Sequence, residues 1–415
     1  MIDLRRLRDE AEYRAGIERK RVASGLLDEL MAADAARREC QSRVEELRSR
    51  QKTISKEIGK AAPDARAERQ PEAAGLKVEL QTVEEELAAL DVKLRELALQ
   101  VPNPADPDVP DGGEDDGEVL RVIGEPSDPP PLDHAAFGEQ LGFVETAQSV
   151  EMSGSRFAAL MGSGALLELA LMQWVVSRMV AEGFTPVIPP VLVREHAMEE
   201  AGFFPTDRRQ VYEVDGGELF LVGTSEVPLS ALHRGERLDP DTLPRRYAGI
   251  STCFRREAGT YGKDTRGILR VHQFDKIEMF SFTAPDGSDD EHQRLLAIEE
   301  SIIGGLGLPY RVVNIATGDL GPAATKKFDI EAWLPSEGRY RELTSCSNYR
   351  DYSARRLDTR VKGDRGSVFV HTLNGTACAM GRTLLFLWEH YQEGESFVVP
   401  DVLRPYTGFD RVDPP

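Results

Sequence analysis

Two runs of residues at heptad spacing, both near the start of the chain, constrain its fold more than any other feature. The seam positions of the first run, in alternating steps of three and four, are Ala33, Arg37, Cys40, Val44, Leu47, Gln51, Ile54 and Ile58. Those of the second run are Leu76, Leu80, Val83, Leu87, Leu90, Leu94 and Leu97. Such spacing is typical of coiled-coil helices. A break holding Pro63 and Pro71 separates the runs, which predicts two helices folded into an antiparallel hairpin.

The composition of this hairpin does not decide its role. Each arm has roughly 28 residues and would reach about 40 Å. The formal net charge of -20 counts against a nucleic-acid partner. The first arm nevertheless has a basic excess of three, since Arg37, Arg38, Arg43, Arg48, Arg50, Lys52, Lys56 and Lys60 outnumber Asp34, Glu39, Glu45, Glu46 and Glu57. Both dimerisation through the coiled coil and contact with nucleic acid are compatible with these residues.

The composition of the chain predicts its domain limits. Residues 1–100 are expected to form the helical N-terminal domain. Residues 101–131 are rich in Pro, Gly and Asp, as in Gly112-Gly113-Glu114-Asp115-Asp116, and are expected to be a linker. Residues 132–415 are then left for a globular domain with its own core.

Nothing in the sequence predicts a membrane segment, a secretion signal or a zinc site. No run of about 18 apolar residues is evident, so we expect a cytoplasmic protein. Cys40, Cys253, Cys346 and Cys378 are scattered, which argues against a disulfide framework and against bound zinc. Residues 165–182 are apolar almost all round, and a helix of that kind must be covered on every side, by its own chain or by a second copy.

The stretch from Cys253 to Phe280 carries the strongest chemical signal. Period-two alternation places one polar set on a single strand face, namely Arg270, His272, Phe274, Lys276 and Glu278. Residues 258–267 suit a loop to a preceding antiparallel strand that carries Arg255 and Glu257 on one face. Guanidinium groups, carboxylates and one aromatic ring together favour a site for ATP and an amino acid.

These residues resemble a known family. Phe254-Arg255-x-Glu257 with His272-Gln273-Phe274 resembles motif 2 of the class II aminoacyl-tRNA synthetases. The fuller string, with Asp264-Thr265-Arg266-Gly267 and Phe274-Asp275-Lys276-Ile277-Glu278, is similar to the seryl-tRNA synthetases. The resemblance implies an α+β fold, in which an N-terminal antiparallel coiled-coil hairpin precedes a catalytic domain built on a mostly antiparallel β-sheet flanked by helices.

Further segments extend the resemblance. Residues 183–190 look like motif 1, which implies a homodimer, and the hairpin looks like the family's tRNA-binding arm. Residues 371–382 look like motif 3. Residues 201–205 depart from the family's pattern, so no contact is inferred there.

The resemblance also implies the site residues. Those expected to bind serine are Thr224, Ser225, Glu226, Arg255, Glu278, Asn374 and Thr376. Those expected to bind ATP are Arg255, Arg256, Glu257, Val271, Phe274, Glu342, Leu343, Thr344, Ser345 and Arg382. Arg255 and Arg382 are the expected catalytic residues. Glu342 and Ser345 are the expected ligands of Mg²⁺, which prefers oxygen atoms.

The activity that the resemblance implies is ATP-dependent ligation of L-serine, through seryl-adenylate, to tRNA(Ser) and, where present, tRNA(Sec). Two alternatives remain. One is an amino acid ligase that loads a carrier protein, against which the predicted hairpin speaks. The other is a catalytically inactive tRNA-binding homologue, against which the intact Arg255, Glu257, Glu278, Glu342 and Arg382 speak.

Overall fold

The computed structural model of the protein describes residues 1–60, 62–258, 266–363 and 366–415. The described chain divides into two compact units, Ile2–Pro102 and Asn103–Pro415. Asp264 and Thr265, which contributed to the motif 2 resemblance, lie outside the described residues, as does most of the predicted loop.

The first unit is entirely helical in its regular structure. Its helices are α1 (Leu4–Asp9), α2 (Ala11–Glu18), α3 (Leu26–Lys60) and α4 (Pro63–Gln100). Helices α3 and α4 form the predicted hairpin, whose core consists of Cys40, Val44, Leu47, Ile54, Leu76, Leu80 and Val83. The heptad pattern therefore predicted both the helices and the face on which they pack.

The interruption between the two long helices is shorter than predicted. Pro63 occupies the first turn of α4, where its missing N–H costs nothing. Pro71 was expected in the break but lies inside α4, and that part of the prediction was wrong. The lost hydrogen bond costs about 3 kcal/mol, and packing of the seam from Leu76 onward offsets it.

The second unit contains the remaining helices and all the strands of the described chain. The helices are α5 (His134–Gln140), α6 (Ala147–Ser153), α7 (Gly162–Ala181), α8 (Glu195–Ala201), α9 (Glu226–Ala231), α10 (Ser288–Gly305), α11 (Tyr352–Leu357), α12 (Met380–His390) and α13 (Arg404–Thr407). The strands are β1 (Glu118–Ile123), β2 (Val144–Glu145), β3 (Ala159–Leu160), β4 (Thr185–Val187), β5 (Leu192–Val193), β6 (Tyr212–Val214), β7 (Leu219–Leu221), β8 (Arg237–Leu238), β9 (Arg245–Phe254), β10 (Gln273–Thr283), β11 (Tyr310–Asn314), β12 (Lys326–Leu334), β13 (Arg339–Asn348), β14 (Arg360–Gly363), β15 (Gly366–Phe369), β16 (His371–Ala379), β17 (Gln392–Glu393), β18 (Ser396–Val398) and β19 (Arg411–Val412).

The main sheet has eight strands in the order β1-β11-β12-β13-β16-β10-β9-β4. All neighbours run antiparallel except β4 and β9, which are parallel. Helix α10 packs against β13 and β16, and the core around it includes Leu295, Ile302, Cys346 and Leu373. The α+β fold with a mostly antiparallel sheet is confirmed.

The apolar segment predicted at residues 165–182 forms α7. By length and composition this helix could cross a membrane, as can the core helices of many soluble proteins. Leu167, Leu171, Val175 and Met179 are buried in the core of the second unit. Its Leu166 and Leu169 are exposed, so one face of α7 is not covered within the described chain.

Candidate active site

A pocket of about 250 Å³ gathers residues from β10, β12, β13, β16 and the start of α12. The predicted site residues that line it are Thr224, Glu226, Arg255, Glu257, Val271, Phe274, Glu278, Glu342, Leu343, Thr344, Ser345, Asn374, Thr376 and Arg382. These positions span more than 150 residues of sequence, and the strand order of the sheet brings them together.

Two predicted residues lie elsewhere in the described structure. The Ser225 side chain is buried and donates a hydrogen bond of 3.2 Å to the carbonyl oxygen of Gly249. The Arg256 guanidinium lies 5.8 Å from the centre of the Tyr212 ring. Neither side chain is among those that line the pocket.

One end of the pocket is a network of carboxylates and amides. The Nδ2 atom of Asn374 donates to Glu226 Oε2 over 2.8 Å and to Glu278 Oε1 over 3.3 Å. Thr376 stands opposite Glu278 in the ladder between β16 and β10, and its hydroxyl donates to Glu278 Oε2 over 3.4 Å. The strand register therefore sets the spacing of these groups.

The Glu226 carboxylate of this network can accept a further hydrogen bond. It is buried at the start of α9, where its backbone N–H donates to the Thr224 hydroxyl. Burial, and then the charge of Glu278, raise its pKa to about 8. Its Oε1 atom has no hydrogen-bond partner of good geometry among the described residues. A small cation placed here would satisfy that oxygen and favour the ionised carboxylate.

The backbone at Arg255 and Glu257 differs from the predicted one. Strand β9 ends at Phe254, so Arg255 and Glu257 do not share a strand face, and Glu257 has a left-handed φ of 49°. The expectation of a strand through Glu257 was wrong. Strand β10 begins only at Gln273, so Arg270 and His272 precede it. Both Arg255 and Glu257 nevertheless point into the pocket.

Contacts within the pocket hold these two side chains. Arg255 Nε donates to the carbonyl oxygen of Gly223 over 3.2 Å, and its guanidinium lies 5.3 Å from the centre of the Phe274 ring. Glu257 forms an ion pair of 2.5 Å with Arg270. This part of the pocket offers a guanidinium beside a flat aromatic surface, an arrangement suited to a nucleotide.

The other end of the pocket combines Glu342 with several cations. Arg382, in the first turn of α12, donates through Nη1 to the Glu342 carbonyl oxygen over 3.1 Å and lies 3.5 Å from its Oε2. Partial removal from water tends to raise the pKa of Glu342, yet Arg382, Lys327 and Arg255 hold it below its ordinary value. The carboxylate is therefore ionised at neutral pH. The Glu342 carboxylate and the Ser345 hydroxyl lie on the same strand and offer oxygen atoms of the kind that Mg²⁺ prefers as ligands.

Sequence reasoning assigned no role to several residues that line the pocket, among them Lys276, Lys327 and Tyr349. Lys276 forms a close ion pair with Glu278. Burial would lower the pKa of Lys327, but Asp329, Glu342 and Asp319 raise it above its ordinary value. Alternation along β12 could have placed Lys327 and Asp329 on one face, but only the pairing with β13 shows that this face meets the pocket.

Comparison with known proteins adds independent findings. The family "tRNA synthetase class II core domain (G, H, P, S and T)" matches residues 211–391, and "Seryl-tRNA synthetase N-terminal domain" matches residues 1–105. Serine--tRNA ligase 1 of Streptomyces avermitilis is 48% identical over 98% of each chain. Serine--tRNA ligase of Acidothermus cellulolyticus is 47% identical over 100% of each chain.

Solved structures give the same picture. The seryl-tRNA synthetase of Pyrococcus horikoshii, complexed with ATP, superposes with a TM-score of 0.94 at 34% identity and covers 100% of both chains. The cytoplasmic serine-tRNA ligase of Naegleria fowleri, in complex with AMP, superposes with a TM-score of 0.88 at 32% identity, over 98% of this chain and 96% of the other.

Proposed function

This chain belongs to the seryl-tRNA synthetase family of class II aminoacyl-tRNA synthetases, and from that membership we propose that it activates L-serine with ATP and transfers it to tRNA(Ser), and to tRNA(Sec) where that tRNA is present. The observation that carries the proposal is the amino-acid end of the pocket. There the Oε1 atom of Glu226, which has no hydrogen-bond partner of good geometry within the described part of the chain, can accept from an ammonium group, and Glu278 with Thr376 offers partners for a hydroxyl.

Most of the predicted site residues have a stated role in this proposal. Glu226 and Thr224 hold the amino group, and Glu278, Asn374 and Thr376 recognise the side-chain hydroxyl. Arg255 bridges the serine carboxylate and the α-phosphate of ATP. Phe274 stacks on the adenine, Glu257 accepts from its amino group, and Arg382 contacts the γ-phosphate. Ser225 and Arg256 support the site from outside the pocket.

The first step needs no general base, because the attacking carboxylate of serine is already ionised. The carboxylate attacks the α-phosphorus, and pyrophosphate leaves with the electrons of the broken P–O bond. Arg255 and Arg382 align the reactants and neutralise charge, which are the main sources of acceleration here. Mg²⁺ held by Glu342 and Ser345 would neutralise the phosphates and stabilise the leaving group.

Selection of serine follows from the pairing of buried polar groups. Without a substrate hydroxyl, Glu278 and Thr376 would lack the hydrogen bonds that the hydroxyl makes to them. Sites built to pair with a hydroxyl reject analogues that lack it by roughly ten-thousandfold or more. Threonine must be excluded by the shape of the pocket. Thr376 lines the pocket, and its methyl group is proposed to narrow the space beside the substrate hydroxyl.

The α3–α4 hairpin is proposed to bind tRNA. In this proposal the enzyme is cytoplasmic, residues 1–100 form the tRNA-binding domain, residues 101–131 form a linker and residues 132–415 form the catalytic domain. The match of residues 1–105 to the N-terminal domain of the family supports this role. The basic excess of α3 provides less positive charge for tRNA than the number of its basic residues suggests, because three of them pair with acidic residues of α4. Arg37, Arg43 and Arg48 pair with Asp91, Glu79 and Glu84 of α4.

A homodimer is also proposed. Leu166, Leu169 and Val180 of α7 are exposed, and Ile188 beyond the helix is 83% exposed. An apolar surface of this kind, next to the segment that resembles motif 1, favours burial against a second copy.

The test of the proposed activation step is pyrophosphate exchange into ATP without tRNA. Serine, threonine, alanine, glycine and cysteine would be compared at equal concentration. We expect exchange with serine and roughly ten-thousandfold less with alanine, because alanine lacks the hydroxyl. Exchange with glycine or alanine would favour a carrier-protein ligase, and exchange with none of the five would favour an inactive homologue.

A further inference from the structure

Two lysines line the pocket, and their surroundings differ. Lys276 lies at the amino-acid end, where its ammonium group is in close contact with Glu278 and its side chain is 7% exposed. Lys327 lies at the end that holds Glu342 and Arg382, and its side chain is 17% exposed. Lys276 is thus neutralised by a pocket carboxylate at close range, whereas the carboxylates nearest Lys327 are farther away.

The contacts of the Lys327 ammonium group are loose. Its Nζ atom is 3.4 Å from Asp329 Oδ2 and 3.7 Å from Asp319 Oδ2. Ordinary N–H···O hydrogen bonds measure about 2.7–3.2 Å. The two carboxylates therefore attract the lysine and keep it charged, at distances longer than those of ordinary hydrogen bonds. An anion entering the pocket could accept hydrogen bonds from the ammonium group.

The strand pairing directs Lys327 toward the proposed phosphate end. Lys327 and Asp329 alternate along β12, and Asp329 pairs with Ser345 of β13. Glu342 and Ser345, the proposed Mg²⁺ ligands, lie on that same strand. The charges of Arg382 and Lys327 both lower the pKa of the Glu342 carboxyl group. The pocket thus presents two fixed cations around one carboxylate at the end where ATP phosphates are expected.

We propose that Lys327 is a further catalytic residue, which contacts the β- and γ-phosphates of ATP and the departing pyrophosphate. The inference rests on the proposed function and adds a third cation to Arg255 and Arg382. An ammonium group at this place neutralises charge that builds on pyrophosphate as the bond to the α-phosphorus breaks.

The test compares Lys327→Met with the matched control Lys326→Met. Lys326 is the adjacent residue of β12, pairs with Asp108, and does not line the pocket. For Lys327→Met we expect the KM for ATP in pyrophosphate exchange to rise by about 10-fold or more, the value of one hydrogen bond to a charged group. The KM for serine should change by less than about twofold, and Lys326→Met should match wild type.

Removal of Lys327 leaves the buried Asp329 carboxylate without its cation, which can unfold the variant. The double variant Lys327→Met/Asp329→Asn removes both charges and keeps the test valid. Continued weak binding of ATP by the folded double variant would support the proposal. Recovery of wild-type KM for ATP would overturn it, because Lys327 would then serve only to neutralise Asp329. An unchanged KM in the folded single variant would overturn it as well.

A binding measurement separates this inference from the proposed function. Calorimetric titration of the protein with inorganic pyrophosphate needs neither serine nor turnover. Pyrophosphate should bind at least about 10-fold more weakly to Lys327→Met than to wild type and to Lys326→Met. If pyrophosphate binds more weakly to Lys327→Met but the wild-type protein shows no serine-dependent exchange, the proposed function is refuted and the role of Lys327 is not. Equal pyrophosphate affinity for all three proteins would refute the role of Lys327.

Discussion

Glu226 and Glu278 lie side by side in the pocket, both buried and both bonded to the amide of Asn374. Burial and the nearby Glu278 raise the pKa of Glu226, and the positive charges of Lys276 and Arg255 offset this only in part. An amino-acid ammonium group bound here would add a further positive charge and favour the ionised Glu226. At the scale of the residue, substrate binding and proton release are therefore linked.

The first prediction concerns the pH dependence of serine binding. The pKa of Glu226 in the free protein is about 8, above the ordinary value for glutamate, so the group is mostly protonated below that pH. Because an ammonium group prefers the ionised carboxylate, the KM for serine should fall as pH rises from 6 to 8. Pyrophosphate exchange at a series of pH values measures this, and a KM that is flat over the range would contradict the assignment of Glu226.

The second prediction concerns Arg255. Arg255→Ala removes the guanidinium that bridges the serine carboxylate and the α-phosphate, so exchange should drop by about 100-fold or more, as expected for loss of one preorganised charge-stabilising group. Arg245→Ala is a suitable control, because Arg245 lies on β9 and bonds to Thr242 outside the pocket. Near-normal exchange by Arg255→Ala would show that the site is wrongly assigned.

At the scale of the element, β16 combines site residues with tight packing beneath them. Gly375 stands between Asn374 and Thr376, and a Cβ atom there would lie 2.8 Å from Glu299 Oε1 and 3.0 Å from Cys346 Cβ. Glu299 is buried, accepts from the Thr344 hydroxyl over 3.0 Å, and has its pKa raised well above the ordinary value by burial. The strand can approach this carboxyl group only because position 375 has no side chain.

Gly375→Ala is accordingly predicted to destabilise the fold by about 1–3 kcal/mol, the usual effect of overpacking. Urea unfolding measures the change. Gly304→Ala is the control, since a Cβ atom there meets nothing within 4 Å, and it should be neutral or slightly stabilising. Equal stability of the two variants would contradict the packing argument.

The helical hairpin can be tested as an element in its own right. Deletion of Leu30 to Leu97 should abolish charging of tRNA and leave serine-dependent pyrophosphate exchange largely intact, because the pocket contains no residue of the hairpin. Both activities would be measured on one preparation. Equal loss of both would contradict the division of labour between the two units.

Elements with an intrinsic period were predictable from the sequence, and non-local arrangements were not. The heptad seam of α3 and α4 was visible because helix packing repeats every 3.5 residues. The continuation of α4 through Pro71 was not, since it depends on packing against α3. In the pocket, motif residues such as Arg255 and Arg382 could be identified from the resemblance. Lys327 could not, because it enters the pocket only through the pairing of β12 with β13, and Tyr349 could not, because it lies just beyond the end of β13.

At the scale of the whole molecule, the exposed apolar face of α7 is the surface proposed to pack against a second copy of the chain. Leu169→Glu should weaken a homodimer, because it places a charge in the proposed apolar interface. Sedimentation velocity over a range of concentrations measures the effect. Val78→Glu is the control. Leu169 is 61% exposed and Val78, on the hairpin, is 66% exposed. Dissociation by Val78→Glu alone would instead indicate that the coiled coil is the dimer interface.

The central claim, that this chain joins serine to tRNA(Ser), is tested most directly by the product itself. The protein would be incubated with ATP, Mg²⁺, labelled serine and a tRNA(Ser) transcript, and the label would be followed on the tRNA and on protein. We predict serine esterified to the tRNA, with release of AMP and pyrophosphate. Formation of seryl-adenylate without any labelled tRNA would contradict the claim.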